Sequence, residues 1–263
     1  MVKTCFCTIA FQKNKWGRDR AVERPVGEIL PVLADAGYDG VEIWGPHVAG
    51  LAPEALAGLR RQLDALGLAV AMVSPYFDFT TSEESAAQSV EEGLKFLDIA
   101  RRLRSRGVRT FTGKVGSREA AQDQWRRAVQ SLQRLADASA PDGIFWAMET
   151  HGRNLMDTVG GARRIVEETA RPNVRLIFQP PTFGVEYREA FDALEPCTAH
   201  IHASNSRSAE RTLLGDGDID YAWLTDRLNR AGFDGYISVE WMGDDPEGTA
   251  RREAAYLKRI TGR

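Results

Sequence analysis

Two glutamates close apolar runs in this sequence: Glu149 follows Ile144-Phe145-Trp146-Ala147-Met148, and Glu240 follows Tyr236-Ile237-Ser238-Val239. A carboxylate at the end of such a run is costly to bury unless an opposite charge or a cation meets it. For one such residue an ion pair with a neighbouring Lys or Arg is an adequate answer. Two of them, with His202 at the end of a further run, are more economically explained by a hard or borderline divalent cation, because carboxylate and imidazole suit Mn²⁺, Mg²⁺, Co²⁺ or Zn²⁺. All four histidines (His47, His151, His200 and His202) fall at or just after apolar runs, and Glu42, Ser74, Lys114 and Gln179 hold comparable positions. His202 lies nearer the expected mouth and is the better ligand, whereas His200 lies deeper and supports a ligand from behind.

Those positions matter only if one fold gathers them. Short apolar, β-branched or aromatic runs recur at residues 4–10, 40–44, 69–75, 108–113, 144–150, 174–180, 198–204 and 236–241, which predicts eight strands. Stretches between them follow the 3.6-residue period, as in Leu56, Leu59, Leu63 and Leu66, or Leu94, Leu97 and Leu103. Eight βα units fit in 263 residues, with no Gly-rich dinucleotide fingerprint after the first strand, so a single-domain (β/α)₈ barrel over residues 1–263 is favoured over an open sheet. Ala36-Gly37-Tyr38-Asp39-Gly40, Leu66-Gly67-Leu68, Arg106-Gly107-Val108 and Ala231-Gly232-Phe233-Asp234-Gly235 read as helix ends in which glycine takes the left-handed cap. In this fold every strand points its C-terminal end at one face, where the catalytic residues collect.

Formal charge is −3, with basic and acidic residues well mixed, so no positive field exists to hold a nucleic acid. Three cysteines without ligand spacing indicate a reducing compartment, and the cytoplasm is expected. Cys5 and Cys7 share one face of a strand and read as buried small hydrophobes. No run of 18 apolar residues and no secretory leader is evident, so no membrane partner is expected.

The stretch Leu214-Gly215-Asp216-Gly217-Asp218-Ile219-Asp220-Tyr221, followed by residues 231–241 (AGFDGYISVEW), resembles the last two units of the sugar phosphate isomerase/epimerase superfamily, the xylose isomerase-like TIM barrels; Gly40-Val41-Glu42-Ile43 resembles their second strand. The resemblance implies one divalent metal, with Mn²⁺ the first choice, on Glu149, Gln179, His202 and Glu240. It departs at Gln179, where the family usually has Asp, and at Thr182, where it often has His. A neutral amide ligand leaves two negative charges instead of three, which implies weaker metal retention and stronger polarisation of a bound carbonyl.

By the same resemblance the substrate is a small keto-sugar or polyol, with His151, Arg207, Lys114, Glu42, His200 and Trp241 as contacts. Glu42 has the alternative of pairing with a barrel arginine. Trp16, Trp44 and Phe77, with Trp241, are candidate apolar walls. The implied activity is a metal-dependent isomerase or epimerase working through a metal-stabilised enediolate, in which Glu149 and Glu240 exchange the proton across opposite faces of the substrate carbon. A lyase or dehydratase acting on a cyclic keto-polyol or keto-glycoside is the alternative. A non-catalytic sugar-binding barrel is a third reading, and a homodimer or homotetramer fits the family. Endonuclease chemistry, which needs about three metals and many more His and Asp ligands, is not expected.

Overall fold

The structure, a computed structural model, describes residues 1–13, 15 and 21–262. Its principal strands are β1 (Lys3–Cys7), β2 (Gly40–Trp44), β3 (Ala69–Ser74), β4 (Gly107–Thr110), β5 (Phe145–Glu149), β6 (Val174–Phe178) and β7 (Thr198–Ala203). A short antiparallel pair, β8 (Asn205–Arg207) and β9 (Glu210–Thr212), precedes the last of them, β10 (Tyr236–Val239). The order β1-β10-β7-β6-β5-β4-β3-β2 closes on itself. This is the expected eight-stranded parallel TIM barrel. Helices α1 (Val26–Ala36), α2 (Pro53–Leu66), α3 (Glu83–Leu103), α4 (Gln122–Ser139), α5 (Val159–Thr169), α6 (Tyr187–Leu194), α7 (Tyr221–Arg230) and α8 (Pro246–Thr261) alternate with the barrel strands. Among the described residues no helix is long and apolar enough to cross a membrane.

The chain divides into two compact units, Met1–Ala71 with His200–Arg263, and Met72–Ala199. In the first, β1 pairs in parallel with β10 and with β2, setting Cys5 opposite both Ser238 and Gly40, and Cys7 opposite Glu42. β10 pairs in turn with β7, Ser238 opposite His202. Because side chains alternate along a strand, this register carries Cys5, Cys7, Glu42, His200, His202 and Ser238 to one common face. Cys5 packs with Ala71 and Tyr236, and both it and Cys7 are buried, as expected of small hydrophobes.

In the second unit β5 pairs in parallel with β4 and β6, Arg109 opposite Ala147 and Glu149 opposite Ile177. Helix α3 begins at Ser82, whose side chain accepts from Ser85 N at 3.0 Å. Its buried stripe runs through Val90, Gly93, Leu97 and Ala100, so Leu94 faces outward rather than joining the core. In the first unit, Gly37 (φ 85°) and Gly67 (φ 69°) take the left-handed caps expected of them. The cap after α3 is instead Arg104 (φ 52°), while Gly107 opens β4, where the Phe145 ring fills the space a Cβ would need.

Helix α8 carries a buried carboxyl, Glu253, which accepts from Leu214 N at 2.8 Å and so ties the loop that follows the β8–β9 hairpin to the barrel's last helix. Burial pushes this carboxyl up to about 7, the Leu214 amide working against burial and Asp216 adding to it. Folding therefore favours the neutral acid, and the stabilising contribution is full below pH 4.5 and lost as pH rises towards about 7. Glu253→Gln, which stays neutral, is expected to match the parent below the ordinary carboxylate pKa and to exceed it by up to about 3 kcal/mol near pH ~8, read from urea unfolding at both pH values.

Candidate metal centre

Glu42 reaches from β2 past β1 and β10 to the histidines of β7, a span open only to a side chain pointing into the barrel. Both its oxygens lie 3.0 Å from His202 Nε2, its Oε2 lies 3.2 Å from His200 Nε2, and Ser238 Oγ donates to Oε2 at 2.7 Å. Burial works to raise this carboxyl, yet the charge and hydrogen bonds of His202 and His200 hold it well below the usual range. The carboxylate accepts from a proton on His202 Nε2, and a ring carrying that proton alone keeps a lone pair on Nδ1. Nδ1 lies 4.0 Å from Glu240 Oε2, too far for a hydrogen bond. A histidine donating one ring N–H to a carboxylate while offering the other nitrogen is the arrangement metal-bound histidines use.

Glu240 stands one residue beyond β10, its backbone N–H donating to Ala203 O at 2.9 Å and its side chain partly exposed. Glu149, the last residue of β5, is buried, and its Oε2 accepts from Arg109 Nη1 at 3.0 Å. Arg109 also donates to Ser74 O at 3.1 Å, and its guanidinium carbon lies 4.6 Å from the Tyr76 ring centre and 4.9 Å from that of Phe111. An ion pair with an arginine thus exists at Glu149, made through its Oε2.

Two groups of three side chains among the described residues can hold a metal ion, Glu42 with His200 and His202, and Glu149 with His202 and Glu240, the ligand atoms of each lying within 4.8 Å of one another. The first is a closed hydrogen-bonded set; the second brings together three of the four expected ligands. Gln179, directly after β6, is buried, and its Oε1 has no hydrogen-bond partner among the described residues. Two carboxylates and an imidazole fit a hard or borderline cation, and a carbonyl oxygen such as Gln179 Oε1 is a donor of a kind such ions also accept.

Other expected site residues fare differently. Glu42 is fully buried, its carboxylate meeting His200, His202 and Ser238. Lys114 does not end β4, which stops at Thr110; it sits on the following loop, 81% exposed, beside Asp78 at 3.4 Å. His151 lies just past β5, exposed, with Nδ1 2.8 Å from Gly152 O and its ring edge-on to Phe111. Arg207 projects from the hairpin, 3.9 Å from Asp218. Trp241 donates from its indole to Asp244 O at 2.8 Å. Trp44 is fully buried against His47, and Phe77 packs among Phe79, Phe96 and Trp146, so both belong to the core rather than to a substrate wall. His47 is buried too, burial lowering its ring to about 4, and Gln12 Nε2 lies 3.2 Å from its Nε2. Trp16 lies outside the described residues.

Arg109, Ser238 and Lys15 were not singled out from the sequence. Arg109 interrupts an apolar strand and was the available signal. Lys15 is buried at the edge of a cavity of about 930 Å³ lined also by Gln12, Arg24, Met242 and Asp244; burial and Arg211 lower its ammonium, against Asp244, Cys7 and Glu240.

A family model described as xylose isomerase-like TIM barrel matches residues 30–260. The chain is 23% identical to a 3-dehydroshikimate dehydratase of Bacillus anthracis over an alignment of 287 positions that takes in 100% of this chain and 98% of that protein. It is 24% identical over 216 positions to an L-ribulose 3-epimerase of Mesorhizobium japonicum, spanning 78% and 72% of the two chains. The crystal structure of the probable 3-DHS dehydratase AsbF of Bacillus anthracis superposes with a TM-score of 0.84 at 22% identity, over 98% of this chain and 99% of that one, a likeness of fold.

Removing one partner of the Arg109–Glu149 pair leaves a buried charge uncompensated. Arg109→Met is expected to cost about 3 kcal/mol in metal-free protein, and Arg109→Met with Glu149→Met to recover most of it, both read from urea unfolding midpoints.

Proposed function

The chain belongs to the xylose isomerase-like TIM barrel family, and from that premise we propose that it is a divalent-metal-dependent enzyme that removes the proton beside the carbonyl of a small keto-sugar or cyclic keto-polyol and completes the reaction as a lyase. Glu149, His202 and Glu240, with Gln179 as a neutral fourth, are the proposed ligands, and Mn²⁺ is the first choice among the ions these donors suit. When bound, the ion supplies a Lewis acid that polarises the substrate carbonyl and offsets the negative charge developing on its oxygen.

The observation that carries the lyase reading is the unequal footing of the two glutamates. Glu149 is tied through Oε2 to a buried arginine that is itself packed against two aromatic rings, so its carboxylate is fixed in place. Glu240 sits past the end of its strand with a partly exposed side chain, and it is the carboxylate placed to take up a proton. Epimerisation needs a second group to return a proton on the opposite face, whereas β-elimination needs one base and an acid for the departing hydroxyl. In the elimination Glu240 takes the proton from the carbon beside the carbonyl, the electron pair of that C–H bond goes to form the C=C bond, the C–O bond to the β-hydroxyl breaks, and the hydroxyl leaves as water with the proton returned from Glu240. His151 and Arg207 are assigned to substrate contact, and Lys15 to the mouth beside Glu240. The full-length similarity to a dehydratase supports this reading.

An epimerase is the second reading, favoured by the similarity to L-ribulose 3-epimerase and by the presence of two carboxylates in one ligand group. Mass spectrometry separates them. Incubation of the Mn²⁺-loaded protein with a panel of keto-sugars and cyclic keto-polyols in D₂O is expected to give a product lighter by one water. A product of unchanged composition carrying deuterium at an inverted carbon would sink the lyase reading. Glu240→Gln is expected to lower kcat by at least about 10²-fold.

A further inference from the structure

Gln179 is held at three of its four polar groups. Its backbone N–H donates to Thr150 Oγ1 at 2.9 Å, its carbonyl accepts from Thr182 N at 3.1 Å, and its side-chain Nε2 donates to Thr182 Oγ1 at 3.4 Å. Thr182 Oγ1 itself donates to Thr150 O at 2.9 Å. A threonine hydroxyl has a single proton. With that proton committed to Thr150 O, the hydroxyl can offer Gln179 only a lone pair, which attracts the amide nitrogen and repels the amide oxygen. The choice between the two ends of the carboxamide, ordinarily open, is therefore made by the chain, and Oε1 is turned away from Thr182 into its buried, unsatisfied position.

We propose that Thr182 is a positioning residue that, through its hydrogen bond to Thr150, selects the orientation of Gln179 in which the amide oxygen is offered as a metal ligand. The inference rests on the metal centre proposed above. A carboxylate at the same position would present an oxygen whichever way it turned, so an orienting hydroxyl is needed only with an amide there. Thr150 takes part by locking the loop: its backbone N–H and Oγ1 both donate to Ile177 O, at 3.0 and 3.2 Å, so the acceptor for Thr182 is anchored to β6.

Calorimetric titration of the metal-free protein with Mn²⁺ alone tests this, together with apo-state melting temperature. The parent is expected to bind one equivalent. Thr182→Val, which keeps the shape and removes the hydroxyl, is expected to weaken binding by about 10-fold or more, the range seen when an outer partner of a metal ligand is lost. Thr182→Ser is expected to restore the parent affinity within about twofold with apo melting unchanged, since the same hydroxyl orients the same amide. In a Gln179→Asp background Thr182→Val should lose its effect on affinity, because either oxygen serves. Parent affinity in Thr182→Val, or an equal loss in the Asp background, overturns the positioning role and leaves the metal centre standing. A parent that binds no Mn²⁺ at millimolar excess overturns the metal centre itself and the inference with it.

Discussion

A carboxylate taken into the interior of a barrel must find donors on every side, because the cost of burying its charge far exceeds what any single contact returns. Glu42 meets that condition with His200, His202 and Ser238, contributed by β7 and β10 to a group anchored on β2. The pairing register follows from it: were β7 or β10 to slip by one residue, the histidines or the serine would turn to the helix side and the charge would stand alone. The same group fixes the ring of His202, so the constraint that sets strand register also sets the direction in which the outermost histidine offers its second nitrogen.

Above that layer the proposed ligands divide by how firmly they are held. Glu149 is clamped by Arg109, whose guanidinium lies against Tyr76 and Phe111, rings stacked 5.8 Å apart. Planar, delocalised and weakly hydrated, an arginine suits that slot better than a lysine would. Glu240 has its backbone held by Ala203 and its side chain near solvent. In the lyase reading proposed above, the carboxylate held by the arginine stays in place while the one at the strand end acts as the base.

Much of the architecture was legible in residue order. Apolar runs ending in Glu149, Gln179, His202 and Glu240 mark strand ends because a charge without interior partners is tolerated only near a barrel's mouth, and local periodicity suffices to find them. Partners were harder to see. Arg109 and Glu149 are forty positions apart, and Glu42 and His202 one hundred and sixty, so their meeting depends on strand order and register rather than on any local pattern. Trp44 and Phe77 look the same in sequence whether they line a pocket or fill the layer between strands and helices; only the face of the strand decides, and both are in the core. Lys114 reads as a strand-end residue because residues 111–113 prolong the apolar run, whereas the ladder stops four residues earlier, at Thr110.

Gln179 differs from the other proposed ligands in having a side chain that does not titrate. A buried acceptor left without a hydrogen bond costs roughly 1–3 kcal/mol, which folded proteins seldom leave unaddressed. Here the surrounding loop satisfies the backbone N–H, the backbone carbonyl and the amide nitrogen of the same residue. The remaining group of Gln179, its Oε1, is an oxygen of a kind hard cations accept, on the residue that directly follows β6. In the metal centre proposed above, a cation taking that oxygen as a ligand would offset the cost of leaving it without a donor.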